Sequence, residues 1–161
     1  MDNASPSWLN AHSHDPNPVA PPGEGEFTLA FSGIEVHITL AGLRQLPFTE
    51  VADCYIVSTG HGRSGPFRFG GVCLADFLAA HLEDSARVAF VDFISADGYG
   101  TRLEGALLAS SPQPLLAWQV DGAPMRRAQG LVRLVVPGEA DDALHQVKWL
   151  ARVEVCLTCP G

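Results

Sequence analysis

Lysine is nearly absent from this chain: nine of its ten basic residues are arginine, and Lys148 is the one lysine. Basic residues are outnumbered by eighteen acidic ones, giving a net charge of −8. That balance repels phosphate backbones and anionic lipid and leaves no broad basic footprint, so neither nucleic acid nor a membrane is an expected partner. No stretch approaches the ~20 apolar residues that span a bilayer, and the start of the chain lacks the basic and then apolar regions of a secretory leader. The expectation is a soluble, cytoplasmic protein. Cysteine is scarce and unevenly spaced: Cys54, Cys73, Cys156 and Cys159 do not form the framework of a disulfide scaffold, and free thiols are expected.

What is present is an ordinary globular balance, with 47% hydrophobic and 17% charged residues in 161 positions. Such a chain folds, and its length suits one domain plus a tail. The tail is Met1 to about Glu26, where Pro6, Pro16, Pro18, Pro21 and Pro22 are interspersed with polar residues and no apolar periodicity exists. His12, His14 and Asp15 within it carry metal-ligand atoms, although isolated histidines of a flexible tail are ordinarily just solvated.

From Phe27 the pattern alternates. Phe27, Leu29 and Phe31, a Ser32-Gly33 turn, then Ile34, Val36, Ile38 and Leu40 predict a β-hairpin. A short amphipathic turn follows over Ala41 to Leu46, and Val51 to Ser58 predicts a strand. Thr59 to Pro66 (TGHGRSGP) is expected to be a Gly-rich loop. Val72 to Leu82 predicts a short helix, Val88 to Ile94 a buried strand, Asp97 to Gly100 a turn and Glu104 to Ala109 a helical turn. Further strands are expected over Leu115 to Val120, Leu131 to Val136 and Val147 to Val155, with an Asp121-Gly122 turn after the first of them. Strands and short helices without a βαβ rhythm favour an α+β domain or a mixed sheet over a doubly wound one.

The most chemically suggestive stretch is Ser58 to Arg63 (STGHGR), where a strand feeds a turn bearing a hydroxyl, an imidazole and a guanidinium able to cradle an anion. A plain turn has the same composition. A serine hydrolase using Ser58 or Ser64, His61 and Asp97 is disfavoured because no Gly-x-Ser-x-Gly elbow is present. Cys156-Leu-Thr-Cys159, in a C-terminal tail over 156–161, is half of a zinc or redox motif by spacing and lacks the second half. Arg133 and Lys148 read by themselves as surface charges, with Trp149 in the core.

Five segments in order, GGVCLADFL, SADGYG, AWQVDGAPM, GLVRLVVPG and VKWLARVEV, resemble the sulfite-oxidase-like molybdopterin-binding family, over about Phe27 to Val155. The resemblance implies an α+β, mixed β-sheet domain of that type and molybdopterin with molybdenum as its cofactor. It also implies that the strand before the Gly-rich loop ends in a molybdenum-ligating cysteine, commonly as Cys-x-Gly-Asn-Arg-Arg. Ser58-Thr59-Gly60-His61-Gly62-Arg63 stand there, so Ser58 takes the position that faces the metal. Cys54 is four residues upstream, roughly 12 Å or more along an extended chain, and cannot simply substitute. By the same resemblance Arg63, Arg133 and Lys148 neutralise the cofactor phosphate, while His61 and Tyr99 line its cavity. Leu131 stands where the family usually has proline, and Gln129 near its usual His-Gly.

Two functions follow from the resemblance. The first is a degenerate member that keeps the fold and an anion-binding pocket for a small anionic ligand or cofactor, without molybdenum redox catalysis. The second is an active molybdopterin oxidoreductase that transfers an oxygen atom to or from a small substrate with Ser58 in place of the ligand cysteine. The active version needs a separate electron carrier, because no haem-binding segment is visible.

Overall fold

The computed structural model describes residues 25–58, 62–83, 87–108, 114–136 and 147–158, with the backbone alone at 56–58, 62–64, 107 and 128. The Pro-rich tail with His12, His14 and Asp15, the loop residues 59–61 and Cys159 fall outside them. Ten strands and three short helices follow one another in this part of the chain. The expected hairpin forms as β1 (Phe27–Phe31) and β2 (Ile34–Ile38), with Ser32 and Gly33 both at positive φ in the turn. Helix α1 (Leu40–Leu43) opens on Thr39, whose hydroxyl accepts the Gly42 amide at 3.1 Å.

Strand β3 (Thr49–Ser58) runs into β4 (Gly62–Cys73), and this is the first departure from expectation. Gly62 to Pro66 is not a loop but the first part of a twelve-residue strand, paired with β3 from Ser58↔Gly62 to Thr49↔Gly71. Register shifts on either side of Cys54, with Asp53 at φ 56, bend the ribbon. Val72 and Cys73 end this strand, pairing with Leu116 and Leu115, so helix α2 spans only Leu74–His81. Next come β5 (Val88–Ser95), β6 (Gly100–Glu104), α3 (Gly105–Leu108), β7 (Leu115–Val120), β8 (Ala123–Pro124) and β9 (Arg133–Val135). A 3-10 turn over Arg127–Gln129 separates β8 from β9. The last strand, β10, occupies Leu150–Leu157 rather than Val147–Val155, so Cys156 lies within it.

The mixed sheet is split in two. One sheet has the order β2-β1-β10-β5-β6, with β1 and β10 parallel and its other pairs antiparallel. The other runs β3-β4-β7-β8, with β9 also pairing β7. The α component is small beside these sheets. Alternation explains the first sheet: Phe27 and Leu29, Val153 and Val155, Val91 and Phe93, and Leu103 share one buried face. They pack with Phe77 and Leu78 of α2 and with Val72, Leu116, Trp118 and Leu134 of the second sheet. That second sheet is apolar on its other face as well, where Cys54, Phe69, Leu115, Ala117, Met125 and Val135 form a smaller cluster. Gly71 makes the β4/β7 contact possible, since a Cβ there would lie 2.7 Å from Ala117 Cα.

Candidate functional site

The smaller cluster contains one charge. Arg133 follows the Gly130–Val132 bend into β9, where it pairs with Ala117 of β7. Alternation puts Leu134 in the main core and Val135 in the smaller one. Arg133 is therefore no surface charge: it is 6% exposed, with its guanidinium carbon 5.6 Å from the centre of the Phe69 ring. Its Nη1 donates to the Gln129 carbonyl at 3.2 Å, and its Nε has no hydrogen-bond partner among the described residues. Burial lowers its pKa to about 10, which still leaves it a cation at neutral pH. A buried cation with a spare donor, and with no carboxylate bonded to it among the described residues, has the chemistry to hold an anion.

Lys148 is brought beside it by the backbone. Leu134 N donates to Val147 O at 2.7 Å, Trp149 N to Gly130 O at 3.0 Å and Leu150 N to Val132 O at 3.1 Å. The approach is so close that a Cβ on Gly130, at φ 112, would lie 2.7 Å from Lys148 Cβ. Leu131 and Trp149 both take positive φ in this crossing, at 58 and 53. The Lys148 ammonium sits 4.4 Å from the centre of the Trp149 ring. That ring is 5% exposed, as expected of a core tryptophan, and is fixed by its Nε1 donating to Arg127 O at 2.6 Å. Burial and the neighbouring Arg133 lower the Lys148 pKa, and Asp97 acts in the opposite sense.

Asp97 belongs to the β5–β6 turn, which docks on the same segment through Ala96 N to Trp149 O at 2.8 Å. The turn is held by the Tyr99 amide donating to Asp97 Oδ1 at 3.2 Å and the Asp97 amide donating to Ser95 Oγ at 3.3 Å. Tyr99 is half-buried against the main core. Of the residues singled out in the sequence, then, Arg133, Lys148 and the turn bearing Tyr99 come together. Ser58 and Arg63 lie at the other end of the β3–β4 ribbon, their backbones paired with Gly62 and Val57. Eight positions separate Arg63 from Gly71, a strand contour of about 26 Å. His61 lies outside the described residues.

Sequence reasoning did not single out Gly130 and Trp149 as parts of this site, and considered Asp97 only for a hydrolase. The signal available for Asp97 was its place in SADGYG beside Tyr99. Cys54 is buried, and burial together with Asp53 raises its pKa. Its thiol donates weakly to Val51 O at 3.7 Å and Ala52 O at 3.6 Å. Among the described residues no three His, Cys, Asp or Glu side chains gather as metal ligands, and no helix is long and apolar enough to cross a membrane.

Two packed, mostly antiparallel sheets hold a buried arginine whose Nε has no partner among the described residues. The family described as the oxidoreductase molybdopterin binding domain matches residues 26–158, and the chain belongs to it. Among solved structures it is similar to the sulfane dehydrogenase SoxCD from Paracoccus pantotrophus, at 18% identity and a TM-score of 0.65. That alignment covers 84% of this chain and 40% of the SoxCD chain, and it shows a shared fold. No curated protein matches the chain.

Proposed function

We propose that this chain is a degenerate member of its family, which keeps an anion site at Arg133 and Lys148 and performs no molybdenum redox catalysis. The observation that carries this reading is the buried guanidinium of Arg133, with an Nε that no described residue satisfies. An arginine and a lysine side by side suit the phosphate end of molybdopterin, because both donate charge-assisted hydrogen bonds to its oxygens. When bound, the complete cofactor supplies oxygen-atom transfer and two-electron redox chemistry. This chain's part would be to neutralise the phosphate and to keep water from it with Phe69 and Trp149.

The metal end fits less well. Ser58 offers a hydroxyl where the family offers a thiolate, and a hydroxyl loses its proton far less readily than a thiol near neutral pH. Cys54 is no replacement, since its raised pKa favours the neutral thiol and its place in β3 opposite Phe67 keeps it from the ribbon tip.

The test is molybdenum and pterin analysis of protein purified from a host that makes the cofactor, for the wild type, Ser58→Cys and Arg133→Met. The wild type should lack stoichiometric molybdenum, Ser58→Cys should gain it, and Arg133→Met should lose any pterin the wild type retains. Stoichiometric metal in a wild type that reduces or oxidises a dye with a small sulfur or nitrogen oxide would establish the active enzyme instead. Full pterin retention in Arg133→Met would overturn the placement of the phosphate.

A further inference from the structure

We propose that β2 is a self-pairing edge: two copies of this chain join antiparallel through Ile34–Ile38, with Val36 at the twofold axis, and form one continuous sheet across a dimer. The inference is independent of the anion site. Among the described strands β2 pairs with β1 alone, at one end of the order β2-β1-β10-β5-β6. The pairing runs from Phe27↔Ile38 to Phe31↔Ile34 without a bulge, and the Ser32-Gly33 turn, both residues at positive φ, joins its ends. A two-residue turn of this kind makes the flanking residues, Phe31 and Ile34, a hydrogen-bonded pair. Bonded and non-bonded pairs alternate along an antiparallel ladder, so Ile34, Val36 and Ile38 bond to β1. The amides and carbonyls of Glu35 and His37 therefore point to the open edge, where no other described strand pairs. The remaining edges are blunted. Strand β3 is bent by register shifts on both sides of Cys54 and by Asp53 at φ 56, β8 and β9 have two and three residues, and β6 runs directly into α3.

The occupant that suits this edge is a second copy, because Ile-Glu-Val-His-Ile is complementary to itself when reversed. About Val36, Glu35 of one copy stands opposite His37 of the other, twice by symmetry, and these are the pairs whose free amides and carbonyls bond. Registers about Glu35 or His37 would set like side chains against each other at the axis. Glu35 and His37 are both 62% exposed on this face, beside Arg152 at 2.9 Å and Glu26 at 3.2 Å. Each junction thus continues a row of alternating charge, from Glu26 and His37 of one copy to Glu35 and Arg152 of the other. The opposite face supplies a second argument. Ile34 is 51% exposed, although Val36 and Ile38 on its side of the strand pack with the main core. In the dimer Ile34 lies opposite Ile38 of the other copy, in a non-hydrogen-bonded pair where side chains approach most closely.

The experiment is sedimentation equilibrium of the full chain from about 10 µM to about 1 mM, the range for a small interface, with amide hydrogen exchange followed by NMR at both ends of it. Wild type should pass from monomer towards dimer. Its Glu35 and His37 amides should gain protection as it does so, while the Val36 amide, bonded to β1, is protected throughout. His37→Glu opposes carboxylates at both junctions and should weaken the dimer about ten-fold or more, whereas His37→Lys keeps a donor opposite Glu35 and should leave it within about two-fold or tighten it. Ile34→Lys, at an exposed position beside the turn, should weaken it as well. The Val36 amide reports the hairpin in every variant, so a dimer lost with Val36 still protected is lost at the interface, and the wild-type exchange decides even where a variant misfolds. A chain that stays monomeric throughout that range overturns the proposal, whether the Glu35 and His37 amides are open or are covered by a segment outside the described residues. So does a dimer that leaves those amides unprotected or is indifferent to His37→Glu, since its interface then lies elsewhere.

Discussion

Arg133→Met should make the protein more stable while abolishing anion binding. Burial lowers the guanidinium pKa from its ordinary value to about 10. At 1.36 kcal/mol per unit, that is a cost of about 3 kcal/mol for holding the cation out of water. The cost is full below about pH 10, where folded and unfolded chains are both protonated, and fades only above it, as the folded form gives up its proton before the unfolded one. Methionine removes it and keeps a flexible apolar side chain against Phe69. Against this stands the Nη1 bond to Gln129 O, a charged donor worth about 1.5 to 3 kcal/mol, although the half-buried carbonyl can turn to water instead. The balance is a stabilisation of about 1 kcal/mol, or about 3 °C in Tm. Urea denaturation of ligand-free protein measures the first effect, and the thermal shift on adding inorganic phosphate measures the second. The wild type should be stabilised by phosphate and the variant should not. A variant destabilised by more than ~1 kcal/mol would refute the reasoning, because Arg133 would then be a structural residue held by satisfied bonds.

Other outcomes are checked by the same methods. Trp149→Phe removes the Nε1 bond to Arg127 O and loosens the platform under Lys148, so urea unfolding should show a loss of about 1 to 2 kcal/mol together with weaker phosphate binding. In Gly71→Ala the new Cβ collides with the β7 backbone at Leu116 and Ala117, which cannot move aside, and a loss of about 3 kcal/mol or more is expected, seen as insoluble or unfolded protein by circular dichroism. His81, whose ring is tilted against that of Phe77 with centres 4.9 Å apart, has its pKa lowered by burial. Its neutral form therefore contributes stability that is present above its unfolded pKa of 6.5 and is lost as pH falls through the lower folded value. NMR titration should place the His81 midpoint below 6.5, and His81→Gln should flatten the acid limb of the stability profile. An unshifted midpoint would contradict this.

Alternation revealed β1, whose Phe27 and Leu29 face the core, because burial on one side stamps a period of two on the sequence, whereas β7 reads as a continuous apolar run because its sheet is buried on both faces. Strand β4 escaped for the opposite reason. Gly62, Gly65, Pro66, Gly70 and Gly71 lie within it, and residues that break local propensity marked it as loop and helix start. Its pairing with β3 on one side and β7 on the other supplies the hydrogen bonds that override that propensity. Strand β6 was hidden similarly, since GTRLE has one strongly apolar residue, Leu103, and forms by pairing with β5 across a turn that was read correctly. The β10 boundary moved because Val147 bridges Leu134 and Trp149 adopts a positive φ before the ladder begins.

For the candidate site, the sequence by itself determined the family, through five ordered segments, and the scarcity of lysine that makes Lys148 stand out. The resemblance also implies that Ser58 stands where the family has its cysteine, an expectation read from the order of the segments. Only the tertiary structure decided that Arg133 is buried rather than solvated, because burial depends on which face of β9 meets Phe69 and β7. The same holds for Asp97, which lies 51 positions before Lys148 in the numbering and acts on it only because the β5–β6 turn docks on the 147–150 segment. Period and composition report on local structure and on burial of a face. Which charges meet is settled by long-range pairing, and a single sequence leaves no local trace of that.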